Sequence, residues 1–99
     1  MIRALVLYPR GEGKTFDGDY WVNTHMSKLV AGLPGVAKWE ADLAADDSPY
    51  HAAAHIYFDS PEDMGKAFGG PQGAEVMADV ANYTNIAPVM SMNQVAASS

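Results

Sequence analysis

The stretch Ile2 to Tyr8 leaves this chain few folds to choose from. It reads as a β-strand, and apart from Arg3 every residue in it is apolar. A strand with no polar face is one that is covered on both sides. Pro9 ends it. A chain of 99 residues has enough left over for helices on one face of a sheet. The other face then calls for a second copy of the chain.

The next feature is a helix with a complete start signal. Asp17 is placed to accept from the free N–H groups of the first turn, and Asp19 adds charge where the helix dipole is positive. Phe16 and Trp21 have hydrophobic-staple spacing. Gly32 and Pro34 mark the end, so the spacing predicts a helix over Gly18 to Ala31. On a wheel of roughly 100° per residue, Trp21, His25 and Leu29 form a stripe that Val22, Met26 and Leu33 continue. His25 is thus a titratable ring inside an apolar face. Desolvation lowers its pKa and favours the neutral form, which suits general acid–base work. A core histidine bonded to a backbone carbonyl fits the same pattern, and the residues alone leave both readings open.

The rest of the chain alternates in kind. Pro34-Gly35 turns into Val36 to Leu43, whose strict alternation with Lys38, Glu40 and Asp42 predicts an edge strand. Tyr50 to Phe58 is the third strand; Ala52-Ala53-Ala54 also suits a helix, but Ile56-Tyr57-Phe58 and the stop at Asp59-Ser60-Pro61 decide for a strand. Ser60 caps a second helix with Pro61 at N1, and Met64, Ala67 and Phe68 point inward. Gly69-Gly70-Pro71 breaks it. Gln72 to Ala81 continues, burying Val76, Met77 and Val80, with Asn82 as a left-handed terminus. Ile86 to Val95 is the last strand. Strand, helix, strand, strand, helix, strand predicts an α+β, ferredoxin-like βαββαβ domain over residues 1–95. It has a four-stranded antiparallel sheet with helices on one face. Residues 96–99 form a tail that frays.

Several chemistries are disfavoured. Gly13-Lys14-Thr15 lacks the earlier glycine of a phosphate loop, since that position is Tyr8. The loop Arg10 to Thr15 is then a flexible connection. His51 and His55 on one strand lie about 13 Å apart, too far for one ion, so no metal is expected. Without cysteine there is no disulfide, thiol nucleophile or thiolate site, which fits a reducing cytoplasm. Twelve acids against six bases give a net charge of −6, which argues against nucleic acid or an anionic membrane as partner. No apolar run approaches the roughly 20 residues of a membrane span, and no signal peptide is evident.

Five spaced segments carry a likeness. Val6-Leu7-Tyr8-Pro9, Phe16-Asp17-Gly18-Asp19-Tyr20-Trp21 with His25, Tyr57-Phe58-Asp59-Ser60, Ala78-Asp79, and Tyr83 to Pro88 resemble the EthD family of the dimeric α+β barrel superfamily. The resemblance implies a homodimer joined through the sheet faces and a pocket between sheet and helices. The family's helix histidine falls on His25. The family takes its name from an accessory protein of bacterial ethyl tert-butyl ether degradation, encoded beside a cytochrome P450 system. The superfamily includes isomerases, polyketide cyclases and cofactor-independent monooxygenases. Two functions follow as expectations. One is an enzyme without metal or redox cofactor, with His25 as acid–base group and Tyr8, Phe16, Trp21, Phe68 and Tyr83 around an apolar carbonyl or aromatic substrate. The other is a binding protein that holds such a molecule for a partner oxygenase. Haem, borrowed from other superfamily branches, would need His25, His51 or His55 as ligand, and the likeness does not point to it.

Overall fold

A computed structural model describes residues 1–99. Strand β1 (Ile2–Pro9) leads to helix α1, whose first turn Gly18–Tyr20 is α-helical and whose body Trp21–Val30 is a π-helix. Strands β2 (Val36–Leu43) and β3 (Tyr50–Phe58) follow, then α2 (Pro61–Gly69), α3 (Pro71–Asp79), a 3₁₀ turn Val80–Asn82 and β4 (Val89–Gln94). The sheet order is β2-β3-β1-β4, with every neighbouring pair antiparallel. This is the ferredoxin-like α+β arrangement that the order of elements predicts. The last strand begins at Val89 rather than Ile86; Ile86 is instead a buried core residue in the loop that leads to it. No helix is long and apolar enough to cross a membrane.

The two faces of the sheet differ as the central strand requires. Ala4, Val6 and Tyr8 on β1, with Ala52, Ala54, Ile56 and Phe58 on β3, are buried against the helices. The alanines across from Val6 and Tyr8 leave room for helices to approach closely. The opposite face carries Arg3, Leu5 and Leu7, paired with Tyr57, His55 and Ala53. These residues are half-buried although nothing covers them. Arg3 Nε and His55 Nδ1 on that face are shielded from water and have no hydrogen-bond partner.

Helix α1 departs from the 3.6-residue wheel in a way that changes which residues are inside. Asp17 caps it as predicted, accepting from the Tyr20 N–H at 3.1 Å. From Trp21 onward the bonds run i→i−5, ending with Ala31 N–H to the Met26 carbonyl at 3.0 Å. The wider turn repeats every four to five residues, so Trp21, His25, Met26 and Val30 are the buried set. Val30 is fully buried, whereas Leu29 and Val22 are only partly so. The α-helical wheel placed Leu29 in the stripe and left Val30 out.

Other expectations change for local reasons. Ser60 caps α2 through the Asp63 N–H at 3.2 Å, as the sequence indicates. Met77 is 51% exposed rather than buried. Asn82 has no left-handed backbone; its side chain turns back instead to donate to Asp79. The left-handed turn after α1 falls on Gly35 (φ 79°), not on Gly32. At the α2–α3 elbow, a Cβ on Gly73 would lie 2.5 Å from the Phe68 carbonyl oxygen and 2.6 Å from that of Ala67. Only glycine fits that approach. The loop after β1 is also not a loose connection. Asn85 accepts from the Thr15 N–H at 2.9 Å and donates to the Gly13 carbonyl at 2.9 Å, and the Thr84 hydroxyl donates to the Thr15 carbonyl at 2.6 Å.

Candidate functional site

Helix α1 places His25 against the end of α3, where Asp79 is the last helical residue. His25 is 3% exposed and Asp79 8% exposed, so this is a buried pair. The Nδ1 atom of His25 lies 3.0 Å from Asp79 Oδ2. Burial raises the carboxyl pKa, but hydrogen bonds from Tyr20, Asn82 and His25 outweigh it and hold Asp79 below its ordinary value. An ionised carboxylate only accepts, so Nδ1 carries the proton and Nε2 presents a lone pair. Burial also holds His25 below its ordinary value, against the opposing pull of Asp79, so the ring is neutral near pH 7.

The chain of contacts continues on both sides. Tyr20 donates to Asp79 Oδ1 at 2.7 Å and Asn82 donates to the same oxygen at 2.9 Å, which fixes the carboxylate plane. On the other side the Tyr83 hydroxyl lies 3.3 Å from His25 Nε2 and 2.7 Å from the Tyr8 hydroxyl. Burial raises both phenols above their ordinary value, so they are neutral and can pass a proton without holding a charge. The result is a buried series Asp79, His25, Tyr83, Tyr8. It has an acceptor at one end and a phenol beside the core at the other. Asp79 was not singled out from the sequence as a site residue. The available signal was an acid between Val76 and Val80 on the helix face that faces His25.

A narrow apolar cavity of about 30 Å³ lies between sheet and helices, with Tyr8 and His25 as its polar groups and Phe68, Met77 and Met90 among its walls. It has room for about one or two water molecules. Of the six predicted site residues, Tyr8, His25 and Phe68 line this cavity. Phe16, Trp21 and Tyr83 do not. Phe16 packs 5.0 Å from the Tyr8 ring and stacks on His51 at 5.7 Å. Trp21 is fully buried, edge-on to Tyr8 at 5.9 Å, and its indole N–H has no partner. Tyr83 sits behind His25, with ring centroids 4.7 Å apart. Phe16 and Trp21 support the polar series from behind, and Tyr83 is a link in it. His51 and His55 do not meet: His51 accepts from Arg10 at 3.3 Å, while His55 pairs with Asp42 at 2.8 Å.

Comparison with known proteins agrees with the fold. An EthD-like protein from Ralstonia eutropha JMP134 has 33% identical residues and a TM-score of 0.83, over 97% of this chain and 92% of that one. An ethyl tert-butyl ether degradation (EthD) family protein from Bacillus halodurans C-125 shares the fold at 18% identity and a TM-score of 0.76, covering 95% and 97% of the two chains. A dimeric ferredoxin-like protein of unknown function from Thermobifida fusca matches at 20% identity and a TM-score of 0.73, over 95% and 90%. An uncharacterised 11.0 kDa protein of the thcB-thcC intergenic region of Rhodococcus erythropolis is 28% identical over 89 residues, 86% of this chain and 85% of its own. Residues 10–87 match the EthD domain, a span that holds all of the polar series except Tyr8, and the chain belongs to the EthD family.

Proposed function

We propose that this protein catalyses proton transfer at a neutral apolar carbonyl compound without a metal or redox cofactor. The observation that carries the reading is the Asp79–His25 pair, buried and held in one tautomer beside an apolar cavity. In an enolisation, His25 Nε2 takes a proton from the carbon next to the carbonyl. The bonding pair moves into the enolate, and Tyr8 donates a hydrogen bond to its oxygen. Asp79 stabilises the imidazolium that forms. Where the enolate is conjugated with a C=C bond, return of the proton to the far carbon of the dienolate gives an isomer. Attack of the α-carbon on a second carbonyl of the same molecule, whose oxygen takes the proton back from His25, gives a cyclised product. Two movements must come first. The Tyr83 hydroxyl gives up its 3.3 Å contact with Nε2, the longest in the series. Met77 and Met90, both partly exposed, swing aside to enlarge the cavity. The test is solvent-deuterium uptake into alkyl ketones, followed by NMR. His25→Gln should slow it by about 10²–10⁴-fold. Equal uptake in variant and wild type would remove His25 from the mechanism.

A second reading has an observation in its favour. Both ring nitrogens of His25 are already engaged by the protein, as they would be in a structural histidine. The protein would then hold the same ligand, without turnover, for a partner oxygenase. Equal ligand affinity in wild type and His25→Gln, with no deuterium uptake in either, would decide for it.

The working unit in either case is a homodimer formed through the open sheet face. Support comes from the buried, unpartnered Arg3 Nε and His55 Nδ1 there and from the dimeric state of the Thermobifida fusca relative in fold.

A further inference from the structure

A second hollow lies at the other end of the same sheet face. It is an open cleft of about 500 Å³ bounded by Ile2, Pro61, Met64, Gly65, Phe68 and Met92. Phe68 is the one residue common to the cleft and to the cavity beside His25. Its ring rests edge-on against Phe58 at 5.7 Å, so it stands as a partition between the two. The floor on either side is one continuous stripe of β1, with Val6 and Tyr8 in the cavity and Ile2 in the cleft. From Ile2 to Tyr8 the strand rises roughly 20 Å.

Gly65 leaves the cleft wall without a side chain at its position. It lies in the middle of α2, where a glycine costs helix stability. No packing constraint explains it, because a Cβ there would meet nothing within 4 Å. A larger side chain at this position would project into unoccupied space on the cleft wall.

On this basis we infer that the cleft is the second half of the binding site and takes the hydrocarbon tail of an elongated, uncharged carbonyl compound whose head reaches Tyr8 and His25. The inference rests on the proposed function for the identity of the head. The chemistry of the walls selects the class. No lysine or arginine lines either hollow, and Asp79 stands behind His25, so a carboxylate head has no counter-charge. The cleft offers only apolar side chains and one glycine, so the tail carries no polar groups. Phe68 turns aside to let the tail pass and closes behind shorter molecules.

The test uses the full chain with 2-hexanone, 2-decanone and decanoate. Binding is followed through the methionine methyl resonances, since Met64 and Met92 report on the cleft and Met26, Met77 and Met90 on the cavity. The expected result is that 2-decanone binds at least about tenfold more tightly than 2-hexanone and shifts both sets of methyls with one saturation curve. Decanoate should bind at least about tenfold more weakly than 2-decanone. Gly65→Leu fills the cleft with a better helix former, and Met92→Glu places a charge in it. Each should bring the affinity ratio of the two ketones close to one. Similar affinities for both ketones with silent cleft methyls would overturn the inference while leaving the cavity and the proposed chemistry in place. Cleft methyls that respond to protein concentration and not to ketone would assign the cleft to a contact between copies and equally overturn it. No binding of either ketone would remove the cavity reading as well.

Discussion

At the scale of single residues, the behaviour of this protein turns on Asp79 and His25. Both are held below their ordinary values of 3.8 and 6.5. Between each folded value and its unfolded one the unfolded chain binds more protons, so stability rises with pH across both windows. Acidification from pH 7 should first remove the His25 share, as the pH passes below about 6.5, and then the Asp79 share below about 4. Urea midpoints measured from pH 7 to pH 3 should therefore fall in two stages, and His25→Gln should flatten the first. An upper limb unchanged in that variant would mean that His25 carries no such linkage. His25 was legible as a special residue because an ionisable ring on an apolar stripe is conspicuous. Asp79 was less so. Its partners Tyr20 and His25 lie on α1, whose contact with Asp79 depends on how α1 crosses α3, and no local pattern states that crossing.

Among the elements, α1 makes the sharpest prediction. Its i→i−5 pattern buries Val30 fully and leaves Leu29 partly out. Val30→Ala should cost about 2 kcal/mol in urea unfolding, and Leu29→Ala under about 1 kcal/mol. The reverse order would mean that α1 is an ordinary α-helix in solution. The caps at Asp17 and Ser60 could be read from sequence because capping is local chemistry. The π-helical pitch could not, because a wheel assumes its pitch before it sorts the residues. A second prediction concerns the α2–α3 elbow. Gly73→Ala forces a methyl against two backbone carbonyls and should cost about 1–3 kcal/mol, measured by the same unfolding experiment. No cost would show that the elbow yields easily. The Gly69-Gly70-Pro71 break announced the elbow but not how closely the two helices approach.

For the whole molecule, the order and type of elements were readable because each strand and helix carries its own periodicity and stop signals. The homodimer is the prediction that belongs here. Leu7 lies on the open face between Ala53 and Val89. Leu7→Asp should reduce the mass found by sedimentation from twice 10.6 kDa to the single-chain value, with the far-ultraviolet circular dichroism retained. A wild type that sediments as one chain would refute the dimer. The hydrogen bonds of the polar series have a consequence of another kind. Tyr8 and Tyr83 are 75 positions apart, and His25 and Asp79 are 54 apart. Protein synthesis makes the first member of each pair long before the second. A growing chain on the ribosome therefore carries His25 as an ordinary exposed imidazole, free to take either tautomer. The ring acquires its fixed proton only after Asp79 has emerged and α3 has docked. Any chemistry at this site therefore waits for the closing of the fold.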